Sequence, residues 1–574
     1  MHTSAAPREP KVSLIEHTFD TVQDWGADTA TLRKARGAFF TPPALCRYVV
    51  EWAVRDGSER ILEPSCGDAE FLLAAADRLD DLHAPRHDRL AGVEMHGTSA
   101  ASAATRLADA GHQAEITTSD FFLLDPEPRY DVVIGNPPYI RYQDFSGEAR
   151  ARSREAALRA GVPLTGLASS WAAFTVHAAL FLRQGGRIGL VLPAELLTVN
   201  YAAEVRRFLM ARFASVRLVM FTERVFPGVL EEVVLLLAEG YDKGPADHCE
   251  LYQVLNGDDL GKATGVGHLW TPNPTDGKWT PSLLSPDALK AFVALEDSDG
   301  FTTLDTWGDT TLGMVTGNNR YFALSPQRVR ELGLAASDVI PLSPPGSRHL
   351  RGLTFTPAGA ADLGAAGSAT WLFRPPGGPS AAAQAYIDAG ETTGVNKAYK
   401  CKVRKPWWRV PLVKPADLLL TYMNADTPRL CANRARAHHL NSVHGIYLKP
   451  GLTALGMDLL PLVSLNSMTL LGAETVGRAY GGGMLKIEPR EADRLPVPSP
   501  DACRAAAGQL RLIRPQLARS LRSGKVTDAA KIVDEVLLIG ELGMTHGQVR
   551  SLREAHAELT HRRTSRGAVP RGTG

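Results

Sequence analysis

Short apolar runs alternate with alanine-rich helical segments through most of the first half of this 574-residue chain. Helical spacing of apolar residues marks the segments 42–55, Glu70–Leu79 and Trp171–Leu182. Runs with the length and composition of strands lie at Arg60–Leu62, Leu90–Val93, Glu115–Thr117, Asp131–Ile134, Arg187–Leu192, Val216–Phe221 and Val233–Leu237. Because strands that alternate with helices form an open sheet covered on both faces, this pattern predicts a doubly wound α/β domain. Only a short loop separates the last two runs, so we expect an antiparallel hairpin at the sheet edge.

The length of the chain is too great for one hydrophobic core, so we predict several domains. Residues 246–300 are rich in Gly, Pro and Asp and have weak periodicity, which favours an irregular connection. The predicted segments are an N-terminal extension at 1–36, the α/β domain at 37–245, the connection at 246–300, an α+β domain at 301–500, a helical segment at 501–560 and a disordered basic tail at 561–574.

Composition narrows the class of protein further. The chain is 44% hydrophobic and 22% charged, as in ordinary globular enzymes. It has no run of ~20 apolar residues and no apolar N-terminal stretch, so we expect neither a membrane partner nor export. The six cysteines are scattered without a CxxC pair, which predicts no disulfide framework, no metal site and a cytoplasmic location. The net charge is only +1, but acidic residues dominate the first 300 residues and basic residues the remainder, which favours a polyanionic partner for the second part.

Carboxylates follow three successive strands of the predicted sheet. Glu63 opens the small-residue turn Glu63-Pro64-Ser65-Cys66-Gly67, Glu94 ends the second strand, and Asp120 follows the third. In open α/β sheets, ligands bind at the carboxyl ends of the strands, where a carboxylate can accept the hydroxyls of a ribose. Three acidic groups suit an amino group, a ribose and an adenine amino group, and S-adenosylmethionine has all three. The alternative is that each carboxylate merely caps the next helix.

The sequence Asn136-Pro137-Pro138-Tyr139 follows the fourth strand. Two consecutive prolines fix φ and withhold two backbone donors, which makes the loop stiff. The exocyclic amino group of a base is a poor nucleophile, and its N–H groups need acceptors. The Asn136 side chain and the Pro137 carbonyl are such acceptors, and Tyr139 can stack on the base. We predict that these four residues form the catalytic centre, although Asn-Pro-Pro also occurs as a simple turn.

Together with Gly37 to Thr41 and Asp120-Phe121-Phe122, these motifs resemble the gamma-class adenine-N6 DNA methyltransferases of Type II restriction–modification systems. The order, with cofactor motifs before the catalytic loop and recognition domain last, is the order of that class. The resemblance implies a Rossmann-like class I S-adenosylmethionine-dependent methyltransferase domain followed by an α+β target-recognition domain. It also implies that Phe226 and Tyr139 sandwich an extruded adenine. Residues implied to contact S-adenosylmethionine are Thr41, Glu63, Pro64, Ser65, Cys66, Gly67, Glu94, Asp120, Phe121 and Pro138.

The expected activity is direct methyl transfer to N6 of adenine in double-stranded DNA, without a covalent enzyme intermediate or a catalytic metal. The modified DNA would be protected from a cognate endonuclease encoded separately. The same loop serves methyltransferases that act on cytosine N4 or RNA, so those acceptors stay open. A third alternative is a DNA-binding subunit that only binds the cofactor and depends on a partner.

A basic segment interleaved with aromatic residues extends from Lys397 to Arg409 and contains no acid. Basic residues neutralise phosphates and aromatic faces stack on bases, so the segment is typical of a nucleic-acid contact. The alternative is a solvated basic loop with its tryptophans in the core. The predicted DNA-binding residues are Lys397, Lys400, Lys402, Arg404, Lys405 and Arg409.

Overall fold

The structure is a computed structural model that describes residues 41–85, 88–144, 147–223, 225–226, 232–263, 265, 267–273 and 277–567. The predicted extension at 1–36 and the motif residues 37–40 lie outside the described residues. The chain divides into two compact units, one ending at Gly277 and the other beginning at Lys278.

The first unit is built on a nine-stranded sheet in the order β3-β2-β1-β4-β5-β7-β6-β8-β9. Its strands are β1 Ile61–Glu63, β2 Leu90–Glu94, β3 Ala114–Thr118, β4 Tyr130–Gly135, β5 Leu182–Pro193, β6 Ser215–Phe221, β7 Val233–Glu239, β8 Cys249–Val254 and β9 His268–Trp270. The α-helices are Pro43–Ala53, Glu70–Asp81, Gly97–Asp109, Gly147–Arg159, Ser170–Ala179, Glu195–Thr198 and Ala203–Arg212. Short 3₁₀ turns lie at Phe121–Leu123, Asn200–Ala202 and Gly257–Lys262.

Strands β1 to β5 run parallel to one another in the order β3-β2-β1-β4-β5. The predicted α/β class is therefore confirmed. Parallel strands end at the same edge of a sheet, so the loops that follow β1, β2, β3 and β4 converge there. These loops carry the carboxylate motifs and the Asn-Pro-Pro-Tyr sequence.

The predicted hairpin is correct in its pairing but wrong in its position. Strands β6 and β7 are antiparallel, but β7 lies between β5 and β6, and β8 and β9 extend the sheet beyond β6. Part of the interval 246–300 is therefore regular sheet rather than an irregular connection. Turn-forming Gly, Pro and Asp residues flank these two short strands and obscure them in the sequence; β8 pairs with β6, and β9 pairs with β8. The helix predicted at Trp171–Leu182 ends at Ala179, because β5 begins at Leu182.

The second unit mixes small sheets with helices. Its strands are β10 Phe301–Thr303, β11 Gly308–Leu312, β12 Ala323–Leu324, β13 Val339–Pro341, β14 Thr354–Phe355, β15 Trp371–Phe373, β16 Leu418–Thr421, β17 Met423–Asn424, β18 Leu430–Asn433, β19 Val443–Leu448, β20 Arg478–Tyr480, β21 Met484–Lys486 and β22 Pro496–Pro498. The largest sheet has the order β11-β19-β16-β18-β14. The α-helices are Pro286–Glu296, Leu304–Trp307, Asn319–Phe322, Pro326–Glu331, Pro357–Ala365, Ala381–Thr392, Tyr399–Lys402, Thr453–Val463, Ser467–Val476, Pro489–Ala492, Pro500–Ala505, Ala507–Arg522, Val526–Asp534 and His546–Gly567, and a π-helical turn spans Glu535–Glu541.

The prediction of a disordered tail from residue 561 is wrong at its start. The helix His546–Gly567 continues through that point, and Arg563 is buried against Glu474 in the helix Ser467–Val476. A basic sequence suggested solvent exposure, but a buried carboxylate from a distant helix holds this arginine.

No single helix in the described ranges is both long and apolar enough to cross a membrane. The helices Thr453–Val463 and Ser467–Val476 reach the length and hydropathy of a membrane span only when taken together, and this pair is bent by 89°.

Candidate active site

The turn after β1 and the end of β2 are tied together by hydrogen bonds. The Cys66 amide donates to the Val93 carbonyl at 2.9 Å, and the Gly67 amide donates to Oε2 of Glu94 at 3.0 Å. Oε1 of Glu94 also accepts the His96 amide at 2.9 Å. The first two predicted carboxylate motifs therefore meet at one edge of the sheet, as expected for adjacent parallel strands.

Glycine is needed in the turn for its backbone conformation, because Gly67 has a φ of +47°. A Cβ placed there would meet no atom within 4 Å, so open space lies beside this backbone. Ala69 adopts a left-handed φ of +66° just before the helix Glu70–Asp81. A glycine would take this conformation without strain.

Glu63 is almost fully buried, with 3% of its surface exposed. Burial raises the pKa of its carboxyl well above the ordinary value, and the nearby charges of Glu94 and Glu70 add to that effect. The Leu72 amide, which donates to Oε2 at 3.2 Å, acts in the opposite direction. Across the described residues, neither Glu63 nor Glu94 has a lysine or arginine partner. The ammonium group of a ligand would stabilise the charged form of a buried carboxyl that has no cation beside it.

Asp120 follows β3 and caps the turn Phe121–Leu123 by accepting the Phe122 amide at 3.0 Å. Its other oxygen lies 3.7 Å from the guanidinium of Arg152. Phe121 is 4% exposed and lies in an aromatic cluster, with its ring centroid 4.9 Å from that of Phe174. Phe121 is therefore a core residue in this structure, and Phe122 is the more exposed of the two phenylalanines.

The fourth loop begins at Gly135, whose φ of +149° turns the chain out of β4. The Asn136 side chain donates from Nδ2 to Oγ1 of Thr41 at 3.1 Å, and its backbone carbonyl accepts the Ser65 hydroxyl at 3.3 Å. Asn136 Oδ1 is buried and accepts no hydrogen bond from any described residue. Since the amide nitrogen is already fixed by Thr41, the oxygen remains as an acceptor that lacks a donor.

Thr41 therefore has a role that the sequence did not predict, namely orientation of the Asn136 amide. It is buried, and it precedes the helix Pro43–Ala53. The resemblance implied a cofactor contact for Thr41, and that contact stays a prediction. Ser65 likewise holds the Asn136 backbone in addition to its predicted place in the cofactor turn.

The two predicted aromatic residues belong to the same region of the core. The Tyr139 hydroxyl donates to the Val191 carbonyl of β5 at 2.9 Å. Phe226 is 5% exposed in a core cluster against which Tyr139 packs. The structure thus brings both side chains of the predicted sandwich to one cluster, while their contact with a base stays a prediction.

Cys66 does not have the character of a nucleophile. It is buried, and burial together with the charges of Glu63 and Glu94 raises the pKa of its thiol. A reactive cysteine needs a lowered pKa and exposure, and Cys66 has neither in this environment.

The basic segment of the second unit is mostly exposed, as expected for a nucleic-acid contact. Lys397, Lys400, Lys402, Lys405 and Arg409 are exposed, and none of them is ion-paired in the described part of the chain. Arg404 differs from its neighbours, because its guanidinium donates to the carbonyls of Thr316, at 2.7 Å, and Val315. Arg404 therefore also has a structural role, and its assignment as a DNA-binding residue stays a prediction.

The aromatic residues of this segment have separate environments. Tyr399 is 75% exposed, with the Lys400 ammonium 5.6 Å from its ring centroid. Trp408 is buried, and Trp407 donates from Nε1 to Glu391 at 2.9 Å. The interpretation of the tryptophan pair as core is correct for Trp408, and Tyr399 is the aromatic residue that offers an open face.

Comparisons with known proteins identify families that match both halves of the chain. Residues 26–253 match the family described as N-6 DNA Methylase, and residues 276–538 match the C-terminal domain of the Type II methyltransferase M.Eco57I. The chain is 26% identical to Type II methyltransferase M.XamI of Xanthomonas campestris pv. amaranthicola, over 81% of this chain and 85% of that protein. It is 24% identical to Type II methyltransferase M.AccI of Acinetobacter calcoaceticus, over 80% and 85% of the two chains.

A solved structure resembles the chain along most of its length. The Type IIL restriction–modification enzyme MmeI, determined in complex with DNA, aligns with a TM-score of 0.52 at 12% identity. The alignment covers 93% of this chain and 80% of that one, and at this identity it shows the fold alone. Two family models match consecutive parts of the chain in the order expected from the sequence, and Type II methyltransferases align over most of its length, so the chain is an N-6 DNA methylase of the Type II methyltransferase group.

Proposed function

We propose that this chain is a site-specific, adenine-specific DNA methyltransferase that methylates N6 of an adenine extruded from double-stranded DNA. S-adenosylmethionine is the proposed methyl donor, and the cytoplasm is the proposed location. Methylated DNA would there be protected from a separately encoded endonuclease. One observation carries the proposal: Asn136 Oδ1 is buried and accepts no hydrogen bond from the described residues. It follows the fourth of the parallel strands, at the sheet edge where Glu63 and Glu94 also lie.

The chain's own residues suit the proposed cofactor. Glu63 supplies a buried carboxyl whose charged form an α-ammonium group would stabilise. Glu94 and Asp120 stand at the ends of the next two strands, where ribose hydroxyls and an adenine amino group find acceptors. The open space beside Gly67 lets the ligand approach the backbone closely. When bound, S-adenosylmethionine supplies a methyl group whose bond to sulfur breaks as the bond to N6 forms.

The catalytic loop acts on the amino group of the target base. In the proposed complex Asn136 Oδ1 and the Pro137 carbonyl accept its two N–H groups, which localises the nitrogen lone pair toward the methyl carbon. After transfer the methylated nitrogen is positively charged, and it releases one of its two protons to solvent by way of these acceptor oxygens. Tyr139 and Phe226 stack on the two faces of the extruded ring, which compensates for its lost stacking in the duplex.

The exposed cations Lys397, Lys400, Lys402, Lys405 and Arg409 are the proposed phosphate contacts of the second unit. Unpaired surface cations release counterions from DNA on binding, and this gain does not depend on sequence. Tyr399 offers an aromatic face in the same segment.

The test is expression of the chain in a host without DNA methylation, followed by single-molecule sequencing of the host DNA. N6-methyladenine confined to one short sequence is the expected result. Marks at cytosine N4 would keep the site and change the acceptor. Unmodified DNA from a protein that binds the cofactor would refute the proposal in favour of an RNA acceptor or a partner-dependent subunit.

An Asn136→Ala variant links the mark to the site. We expect its methyl transfer rate to fall by roughly 10²- to 10³-fold, the usual cost of removing one preorganised group from a transition-state site. Its affinity for S-adenosylmethionine, measured by calorimetry, should stay within about twofold of wild type, because Asn136 is assigned to the base and not to the cofactor. Unchanged transfer by this variant would contradict the assigned mechanism.

A further inference from the structure

A serine outside all the sequence motifs makes three hydrogen bonds to the catalytic loop. Ser170 is the first residue of the helix Ser170–Ala179 and is 1% exposed. Its hydroxyl donates to the Pro138 carbonyl at 2.5 Å and accepts the Ile140 amide at 2.9 Å. Its own amide donates to the Ile140 carbonyl at 3.0 Å. The two loop residues that it contacts lie on either side of Tyr139.

The loop needs such a partner because of its prolines. Pro137 and Pro138 have no N–H group, so this stretch cannot form the usual local turn hydrogen bonds. A carbonyl and an amide buried without partners would destabilise the loop. The hydroxyl of Ser170 satisfies both, since one hydroxyl can donate and accept at the same time.

The bonds of Ser170 fix the peptide planes before and after Tyr139. With both planes fixed, φ and ψ of Tyr139 are set, and so is the direction in which its side chain leaves the backbone. The ring is held at its far end by the hydrogen bond from its hydroxyl to Val191. The stiff Pro137–Pro138 pair then transmits the same constraint to Asn136.

The Ser170 hydroxyl does not act as a helix cap. The N-cap of its helix is Ser169, whose side chain makes no capping hydrogen bond. Capping would direct the Ser170 hydroxyl to amides of its own helix, whereas its recorded partners are both in the loop. The Ser170 side chain is therefore committed to the catalytic loop.

We propose that Ser170 is a positioning residue for methyl transfer, which sets the ring plane of Tyr139 and the acceptors of Asn136 through the Pro138 and Ile140 backbone. This inference rests on the proposed function. It predicts that loss of the hydroxyl changes the rate of the chemical step and leaves ground-state binding of cofactor and DNA unaltered.

The test compares Ser170→Ala with Ser169→Ala in single-turnover methyl transfer at saturating cofactor and DNA. Ser169 is a matched control because it is adjacent, 7% exposed and loses the same hydroxyl. We expect Ser170→Ala to lower the transfer rate roughly 10- to 100-fold, the usual effect of a misplacement of up to about 1 Å. Its KM for S-adenosylmethionine and its Kd for DNA should match those of Ser169→Ala, whose rate should equal that of wild type.

A Ser170→Cys variant separates positioning from packing. Its thiol is a weak donor and acceptor of similar size, so a rate between those of wild type and Ser170→Ala supports the proposal. If Ser170→Ala fails to fold, the Cys variant carries the test alone, and a wild-type rate for it would overturn the inference. Equal rates for Ser170→Ala and Ser169→Ala would also overturn it. Failure of the proposed function is distinct, because wild-type protein would then transfer no methyl group to DNA.

Discussion

Replacement of Arg563 by alanine should strongly destabilise the second unit. The guanidinium donates to Glu474 through Nε, at 2.9 Å to Oε2, and through Nη2, at 2.8 Å to Oε1. It also donates to the carbonyls of Asp426, at 3.0 Å, and Gly483. Both side chains of the pair are 4% exposed. Removing the cation leaves a buried carboxylate without its charge partner, at a cost of about 3–5 kcal/mol.

The expected change in melting temperature follows from the size of the unit. At about 2.1 cal/mol/K per residue, a unit of roughly 300 residues unfolds with an entropy of about 0.6 kcal/mol/K. The loss of about 3–5 kcal/mol then lowers its Tm by about 5–8 °C. Scanning calorimetry of the full chain measures this shift in the transition that belongs to the second unit.

Two further variants sharpen the result. Arg562→Ala is the matched control. Arg562 is 11% exposed, but its partner Glu558 is 42% exposed and can be solvated when the arginine is removed, so this change should cost less than loss of the buried pair. Arg563→Ala combined with Glu474→Gln should recover part of the lost stability, because the second change removes the unpaired charge. Equal Tm values for Arg563→Ala and Arg562→Ala would refute the buried ion pair and favour the solvated tail predicted from the sequence.

Two other predictions concern the ligands. Glu63 has a raised pKa, so its protonated form stabilises the folded apo protein below the ordinary carboxyl pKa, and that contribution disappears as pH rises through the raised value. S-adenosylmethionine binding should therefore strengthen over the same rise in pH. Calorimetry should show that Glu63→Gln binds S-adenosylmethionine roughly 10- to 100-fold more weakly and that its affinity does not change with pH in this way. An identical pH profile in the variant would contradict the role of Glu63. Lys400→Ala and Lys402→Ala should each reduce the slope of log affinity for DNA against log salt concentration by about 1, whatever the DNA sequence. Arg404→Ala should instead lower Tm. An unchanged slope in both lysine variants would exclude Lys400 and Lys402 as phosphate contacts.

The position of the candidate site at one edge of the sheet was predictable because its residues lie in contiguous motifs. Glu63, Glu94 and Asp120 follow strands whose parallel order could be inferred from the alternation of strands and helices. The Asn-Pro-Pro-Tyr loop follows β4 by the same logic. By contrast, β8 and β9 escaped prediction, because two short strands between turn-forming residues are recognisable mainly through the neighbours with which they pair.

The sequence by itself determined the α/β class, the order of the two units, and the acceptor groups of the proposed catalytic loop. These properties follow from local periodicity and from the chemistry of adjacent residues. Only the tertiary structure decided which distant side chains hold the loop and the helices in place. Ser170 is 32 residues from the carbonyl that it holds, and Arg563 is 89 residues from Glu474. Arg404 and Lys400 are both basic residues of one segment, yet packing against Thr316 makes one of them structural. Burial and long-range hydrogen bonding depend on where distant segments meet, and local sequence patterns do not encode that position.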